Sequence, residues 1–495
     1  MLRLGEKYQH LVSGAGCGCC NPVLQRVSRR LDAFSRRGFV AGLCAAAIAG
    51  CERLPSERAG RAPSPPQTAP GAGAETSTPA PRILLSRARV FDGTSGALRD
   101  AQVLVHGPRI ESIDAANNAP PADATVVDCG NRVLMPGMID AHWHTLYAAV
   151  PMNVLLTGDM AMIAVLSTAE AQRTIMRGFT TVRDLGGPVF SFKQAIDGGV
   201  IPGPRIFPSG AMITTSGGHG DLRLPFEIPR DPQRLSQGDQ MGAAAIVDDV
   251  GGLRRVVREQ LLQGASQVKL VGGGGVSSPR SPLDMMTFNE AEIREAVAVA
   301  HDWNTYLTIH ASVESAARRA VAGGVDCIEH GHLMEERTAR AMADNGIWLS
   351  MQPYLTLEDT PAATGVGAER ALQMFTGTPR VYGFAKRFGI KTAWGSDLLF
   401  LPEGGRLQNV ILTHLSNWYS NADVIRAATS VNAELLALSN MRNPYPGKLG
   451  VIERGAYADL LVVNGNPLEN IRLLENPDVN LSLIMKDGRI HKNTL

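Results

Sequence analysis

Eight short apolar runs alternate with helix-patterned stretches between residues 133 and 397, and this rhythm limits the chain to few architectures. The runs are Val133–His144, Thr180–Asp184, Arg205–Ser209, Gln267–Val271, Tyr306–His310, Cys327–His330, Ile347–Gln352 and Lys391–Asp397. The stretches Leu253–Gly264, Asn289–Asp302, Val313–Gly323, Glu336–Asn345 and Val381–Phe388 carry apolar residues at the 3–4 spacing of a half-buried helix. Strands separated by helices pair in parallel, and eight such units are the number that closes a sheet on itself. The reading is an α/β fold: a (β/α)8 TIM-like barrel over residues 136–447. An open doubly wound sheet is the alternative. No glycine-rich nucleotide turn follows the first run to favour it.

Residues 82–135 and 448–492 have a different texture, with short β-rich runs punctuated by turns such as Asp92-Gly93 and Lys486-Asp487-Gly488. Neither segment can bury a core alone. Joined from the two ends of the chain, they are expected to form a small β-sandwich domain.

The first eighty residues read as address rather than fold. Ser35-Arg36-Arg37-Gly38-Phe39-Val40 is a twin-arginine signature, followed by an uncharged apolar run too short to span a bilayer. Ile48-Ala49-Gly50-Cys51 resembles a lipoprotein signal box, which would place a lipid anchor on Cys51. Residues 1–51 are therefore expected to be a signal and residues 52–81, rich in Pro, Ala, Gly, Ser and Thr, a flexible linker. The expected location is periplasmic or membrane-anchored. No second cluster partners Cys17-Gly18-Cys19-Cys20, and Cys129 and Cys327 in the body suggest no disulfide framework. A net charge of +1 argues against a nucleic-acid partner.

The polar residues at the ends of the runs carry the chemistry. His142 and His144 stand two apart, so on a strand both imidazoles project the same way. Such a pair alone is weak evidence for a metal site. Lys269, His310, His330 and Asp397 stand on four further runs. The C-terminal strand ends of a barrel converge on one face, so these six residues would meet there. Lys269 is the odd member, because an ammonium repels a metal and is costly to bury. Held neutral, it can react with carbon dioxide to give a carbamate.

The order H-x-H, Lys, His, His, Asp resembles the amidohydrolase superfamily in its two-metal, carbamylated-lysine form. The segments Leu134–His144, Gly178–Asp184, Gly395-Ser396-Asp397 and Gly455–Val462 look like that superfamily's wording. Ser216-Gly217-Gly218-His219-Gly220 and Gly272–Pro279 point to the imidazolonepropionase-like branch, with its Xaa-Pro dipeptidases and ochratoxin-hydrolysing amidases. The resemblance covers about residues 82–492. It implies two divalent ions, zinc by default, held by His142, His144, His310, His330 and Asp397 and bridged by N6-carboxylated Lys269. It implies attack of a metal-bridging hydroxide on an amide whose amine half is an amino acid with a free carboxylate. Asp397 would shuttle the proton, and His219 would donate to the carbonyl oxygen or to the substrate carboxylate. His332 would support the ligands from behind. Tyr354, Ser277, Ser278 and Arg183 are the candidates for holding the carboxylate. The implied partner is a small molecule, a dipeptide or N-acyl amino acid, and the implied assembly a homo-oligomer. Two other functions fit less well: a cyclic-amide hydrolase, whose chemistry is usually cytoplasmic, and a non-catalytic metal- or solute-binding lipoprotein, which has little use for a lysine in the ligand set.

Overall fold

The computed structural model describes residues 81–495, apart from 116–117, 230–234, 279 and 362. The expected signal, the expected anchor at Cys51, the Cys17–Cys20 cluster and all but the last residue of the expected linker lie outside the described residues. Five strands come first: β1 (Arg82–Phe91), β2 (Leu98–His106), β3 (Arg109–Ala115), β4 (Ala124–Asp128) and β5 (Val133–Pro136). Ten follow: β6 (Met138–Trp143), β7 (Phe179–Asp184), β8 (Arg205–Pro208), β9 (Met212–Thr214), β10 (Ala244–Ile246), β11 (Val268–Val271), β12 (Leu307–Val313), β13 (Cys327–Leu333), β14 (Trp348–Met351) and β15 (Thr392–Trp394). The chain closes with β16 (Leu460–Val463), β17 (Leu481–Lys486) and β18 (Arg489–Asn493).

The first apolar run is two strands, not one. Pro136 has no N–H to continue a ladder. At Gly137 the chain leaves one sheet for another, and a Cβ there would stand 2.3 Å from the Thr180 hydroxyl oxygen. β5 pairs with β16 and β1, whereas β6 pairs with β7. The two ends of the chain do share a sheet, in the order β18-β17-β16-β5-β1-β2-β3, with β4 beside the first half of β1. The eight strands form one connected ladder, and its side chains alternate with period two. Leu134, Leu460, Val462 and Leu483 enter a core of the sheet's own. Val133, Met135, Leu461, Val463 and Ile484 enter the main core. Both faces are covered, so β5 and β16 read as unbroken apolar runs.

The remaining strands form two parallel arcs, β6-β7-β8 and β10-β9-β11-β12-β13-β14-β15. The backbone ladder does not run continuously from one arc to the other. Side-chain amides bridge both gaps. Gln267, just before β11, donates to the carbonyls of Asp184 (3.1 Å) and Phe207 (2.9 Å). Asn432 donates to the carbonyls of Ile139 and Trp394 (both 2.7 Å) and accepts from the Trp394 N–H (3.0 Å). Ile139, Ala141, Phe207, Cys327, Trp348 and Ala393, drawn from both arcs, share one apolar cluster.

Helices cover the arcs where the 3–4 spacing placed them. Glu290–Asp302 buries Ile293, Ala296, Val297 and Ala300 behind an Asn289/Glu292 capping box. Val250–Gln263 starts at Asp249, which caps Gly252 N–H, and stops at Gly264, whose φ of 104° suits only glycine well. Cys129 and Cys327 are buried and free. Among the described residues no helix is long and apolar enough to cross a membrane.

Asn432 is fully buried and serves three backbone groups at once. Asn432→Ala would strand them without water. Its expected cost is about 2–4 kcal/mol, read as a lowered denaturation midpoint. A loss below about 1 kcal/mol would show that this seam holds without the amide.

Candidate metal centre

The ends of β6, β12 and β13 and the turn after β15 bring the imidazoles and Asp397 together. His142, His330 and Asp397 offer ligand atoms that all lie within 4.8 Å of one another. Asp397 Oδ1 is 3.2 Å from Nε2 of both His142 and His144, and Oδ2 is 3.8 Å from His330 Nδ1. The His310 ring packs edge-on against His330 at 4.3 Å, but its Nε2 lies 2.8 Å from the Gly274 carbonyl oxygen. Lys269 lines the same cavity and is 3% exposed. The six residues read from the strand ends thus line one cavity, with His142, His330 and Asp397 in direct mutual reach and His144 beside Asp397.

Local backbone explains the convergence. His330 and Asp397 both adopt left-handed φ, 75° and 50°. Non-glycine residues are held there only when their surroundings fix them, and such strain concentrates at functional sites. Gly395 lets the end of β15 press against β6, since a Cβ would sit 2.4 Å from the His142 nitrogen. Asp140, fully buried, ties the two ends together. It accepts from His142 N–H (2.9 Å), Ser396 N–H (3.1 Å), the Ser396 hydroxyl (2.6 Å) and Gln408 (2.8 Å).

Electrostatics favour a cation here. Burial opposes ionisation of Asp397, but the His142 charge and hydrogen bonds from His142 and His144 outweigh it, holding the carboxyl well below its usual range. Burial pushes His310 and His330 well below the ordinary imidazole range, leaving neutral rings, the form that binds metals. Burial also lowers the Lys269 ammonium, against the pull of Glu329 and Asp397. Four imidazoles and a carboxylate form a donor set suited to a divalent transition metal. His144 Nδ1 is buried without a hydrogen-bond partner among the described residues.

Glu329 was not singled out from the sequence. It is fully buried and accepts from His142 Nδ1 (2.7 Å) and Arg183 Nη2 (2.6 Å). Its carboxylate fixes the His142 tautomer, leaving Nε2 free toward Asp397. A charged residue inside the apolar run Cys327–His330 was the available signal. Gln352 does the same for His330, with Oε1 2.8 Å from Nδ1.

Other expectations are redrawn. Arg183 is wholly buried, with its fork on Glu329, Tyr306, Ser350 and the Ala141 carbonyl, so it offers nothing to a ligand. The Tyr354 ring lines the cavity, but its hydroxyl donates to the Ser396 carbonyl (2.6 Å) and steadies the turn carrying Asp397. His332 lies behind the site, its Nε2 3.0 Å from the Gln352 carbonyl oxygen and its ring stacked on Tyr354 at 6.1 Å. Ser277 and Ser278 both line the cavity; the Ser278 hydroxyl is buried against Ser281 (3.1 Å). His219 stacks on His310 at 4.7 Å, in the space left by the missing side chain of Gly275. Burial pushes its pKa down to about 4, so the ring is neutral at pH 7, and its Nδ1 has no partner among the described residues. Above this floor the cavity holds about 680 Å³, with walls that include Met152, Leu222, Phe375 and Leu398.

A profile of the amidohydrolase family matches residues 133–491. Ochratoxinase from Aspergillus niger is 26% identical over 422 residues, spanning 81% of this chain and 85% of that enzyme. A crystal structure of an amidohydrolase, 33% identical, superposes with a TM-score of 0.76 and covers 84% of this chain and 100% of its own. A crystal structure of a prolidase complexed with N-methylphosphonate-L-proline, 32% identical, gives a TM-score of 0.76 over 83% of this chain and 100% of that one.

Glu329→Gln keeps the shape but removes the charge that orients His142. Metal affinity is expected to fall about 10- to 100-fold, measured by chelator competition. Unchanged affinity would remove Glu329 from this role.

Proposed function

Since this chain belongs to the amidohydrolase family, as the match over residues 133–491 establishes, we propose that it cleaves an amide bond to a carboxyl-terminal amino acid. Dipeptides, N-acyl amino acids and ochratoxin-type amides are the substrate class. The observation carrying this reading is the gathering of His142, His330 and Asp397 within mutual coordinating reach, with His144 against Asp397, at the floor of a large cavity. The relatives' own substrates support the choice. The two arcs are taken as one (β/α)8 barrel over residues 136–447, carrying the sheet built from 82–135 and 448–492.

His142, His144 and Asp397 would hold one divalent ion and His310 and His330 a second. Lys269, N6-carboxylated, would bridge them, and zinc is the default metal. Ions bound there would acidify a water and polarise the scissile carbonyl. The chain's own residues do the rest. Asp397, ionised and facing the floor, takes the water proton and delivers it to the departing amine. Neutral His219, with an unpartnered ring nitrogen beside His310, donates to the carbonyl oxygen. The apolar wall excludes bulk water and receives the acyl half. Export by the twin-arginine route, a Cys51 anchor and a homo-oligomeric assembly belong to the same proposal.

Asp397→Asn is expected to keep most of its metal and to lose about 10²–10⁴-fold in turnover across a panel of N-acyl amino acids, with metal content measured alongside. Hydrolysis near the wild-type rate would overturn the role given to Asp397.

A further inference from the structure

We infer that Arg280 is the residue that receives the substrate's free carboxylate. This rests on the proposed amide hydrolysis and names its specificity determinant. Three cationic side chains line the cavity: Lys269, Arg223 and Arg280. Lys269 lies at the floor among the imidazoles. Arg223 is already neutralised, its Nε and Nη2 held by the two oxygens of Asp221 at 2.8 and 2.6 Å. Arg280 is exposed at the rim. Among the described residues it forms no ion pair, and its one hydrogen bond runs from Nη1 to the Arg223 carbonyl (2.6 Å).

That single tether matters. It anchors one corner of the guanidinium to the loop after β9, so less side-chain freedom remains to be lost on binding. It leaves Nε and the far Nη2 free along one edge. Two parallel N–H donors on that edge match the two oxygens of a carboxylate. The position is suited as well. Arg280 follows the strand that carries Lys269, and it touches the loop that carries His219. Ser277, exposed beside it on the same cavity wall, can add a hydroxyl donor. The other cavity charges are the carboxylates Asp221, Asp359 and Asp397, which repel a substrate carboxylate. Asp359 is occupied in capping Leu355 and Thr356 N–H. A carboxylate entering this cavity therefore meets one unneutralised cation at the rim.

The test compares wild type, Arg280→Ala and Arg280→Lys on N-acetyl-phenylalanine and its carboxamide. Binding is read by calorimetry and turnover by amine release, with metal content and denaturation midpoint measured alongside. In Arg280→Ala, affinity and kcat/KM for the carboxylate ligand are expected to fall about 10- to 100-fold, with the carboxamide changed less than about 2-fold. Arg280→Lys is expected to recover part of the loss, since it restores the charge but not the fork. Equal losses on both ligands, or no loss on either, would overturn the assignment. Wild type that binds the carboxylate in an Arg280-dependent way without cleaving it would leave this inference standing and sink the proposed reaction instead.

Discussion

Arg183 and Glu329 form an ion pair with no solvent exposure, and the cavity floor is built on it. Two charges taken out of water lose several kcal/mol each, and attraction alone does not repay this. The pair survives because both partners are served. The Arg183 fork reaches the Ala141 carbonyl, Tyr306, Ser350 and Glu329. Glu329 also accepts from Thr308 and His142. Removing either partner would leave a bare charge in the core, which costs more than the intact pair contributes. The pair therefore makes the position of His142 hard to change. Arg183 stands on β7, Glu329 on β13 and His142 on β6, so one network links both arcs.

The same logic holds at the seams. A parallel ladder demands one N–H and one C=O from each neighbour, and at two places the strands do not supply them. Gln267 supplies donors at one, and Asn432 supplies both donors and an acceptor at the other. Asp140 extends the second seam upward, from the ladder to the Ser396 turn. The left-handed φ of Asp397 is then imposed by fixed points on either side: Gly395 against His142, Ser396 on Asp140, and Tyr354 holding the Ser396 carbonyl. The strain of one residue is borne by a set of neighbours, and the outcome is a carboxylate aimed at two imidazoles.

Much of this was legible in the sequence, for identifiable reasons. Apolar period and capping residues are local, so the helices fell within a few residues of their observed bounds. Strand-end histidines are legible because parallel strands separated by helices must align their ends. What escaped was long-range. Pro136-Gly137 looked like part of one strand because both sides of the break are buried and apolar, and only the pairing partners reveal the change of sheet. Arg183 looked like a ligand-binding cation because its sequence position is right; its direction depends on Glu329, 146 residues away. Tyr354 points into the cavity by its ring and away by its hydroxyl, a distinction no pattern encodes. The joining of the chain's two ends in one sheet was legible from their shared texture, but alternation does not name the pairing partners.

The floor and the rim of the cavity are held by different forces. The floor is fixed by buried charges and strained backbone, so a change there disturbs several ligands together. The rim is two loops, after β9 and after β11, fastened to each other by light contacts: Ser281 to the Gly217 carbonyl, Arg280 to the Arg223 carbonyl, and His219 seated over Gly275. Each is a single hydrogen bond or a single missing side chain, worth about 1 kcal/mol rather than several. Among the described residues, only at Gly274, whose carbonyl meets His310 Nε2, and at His219, stacked on His310, do these loops touch the imidazoles of the floor directly. A fold that carries its reactive groups on strand ends and its recognition groups on such loops can change its substrate while keeping its reaction.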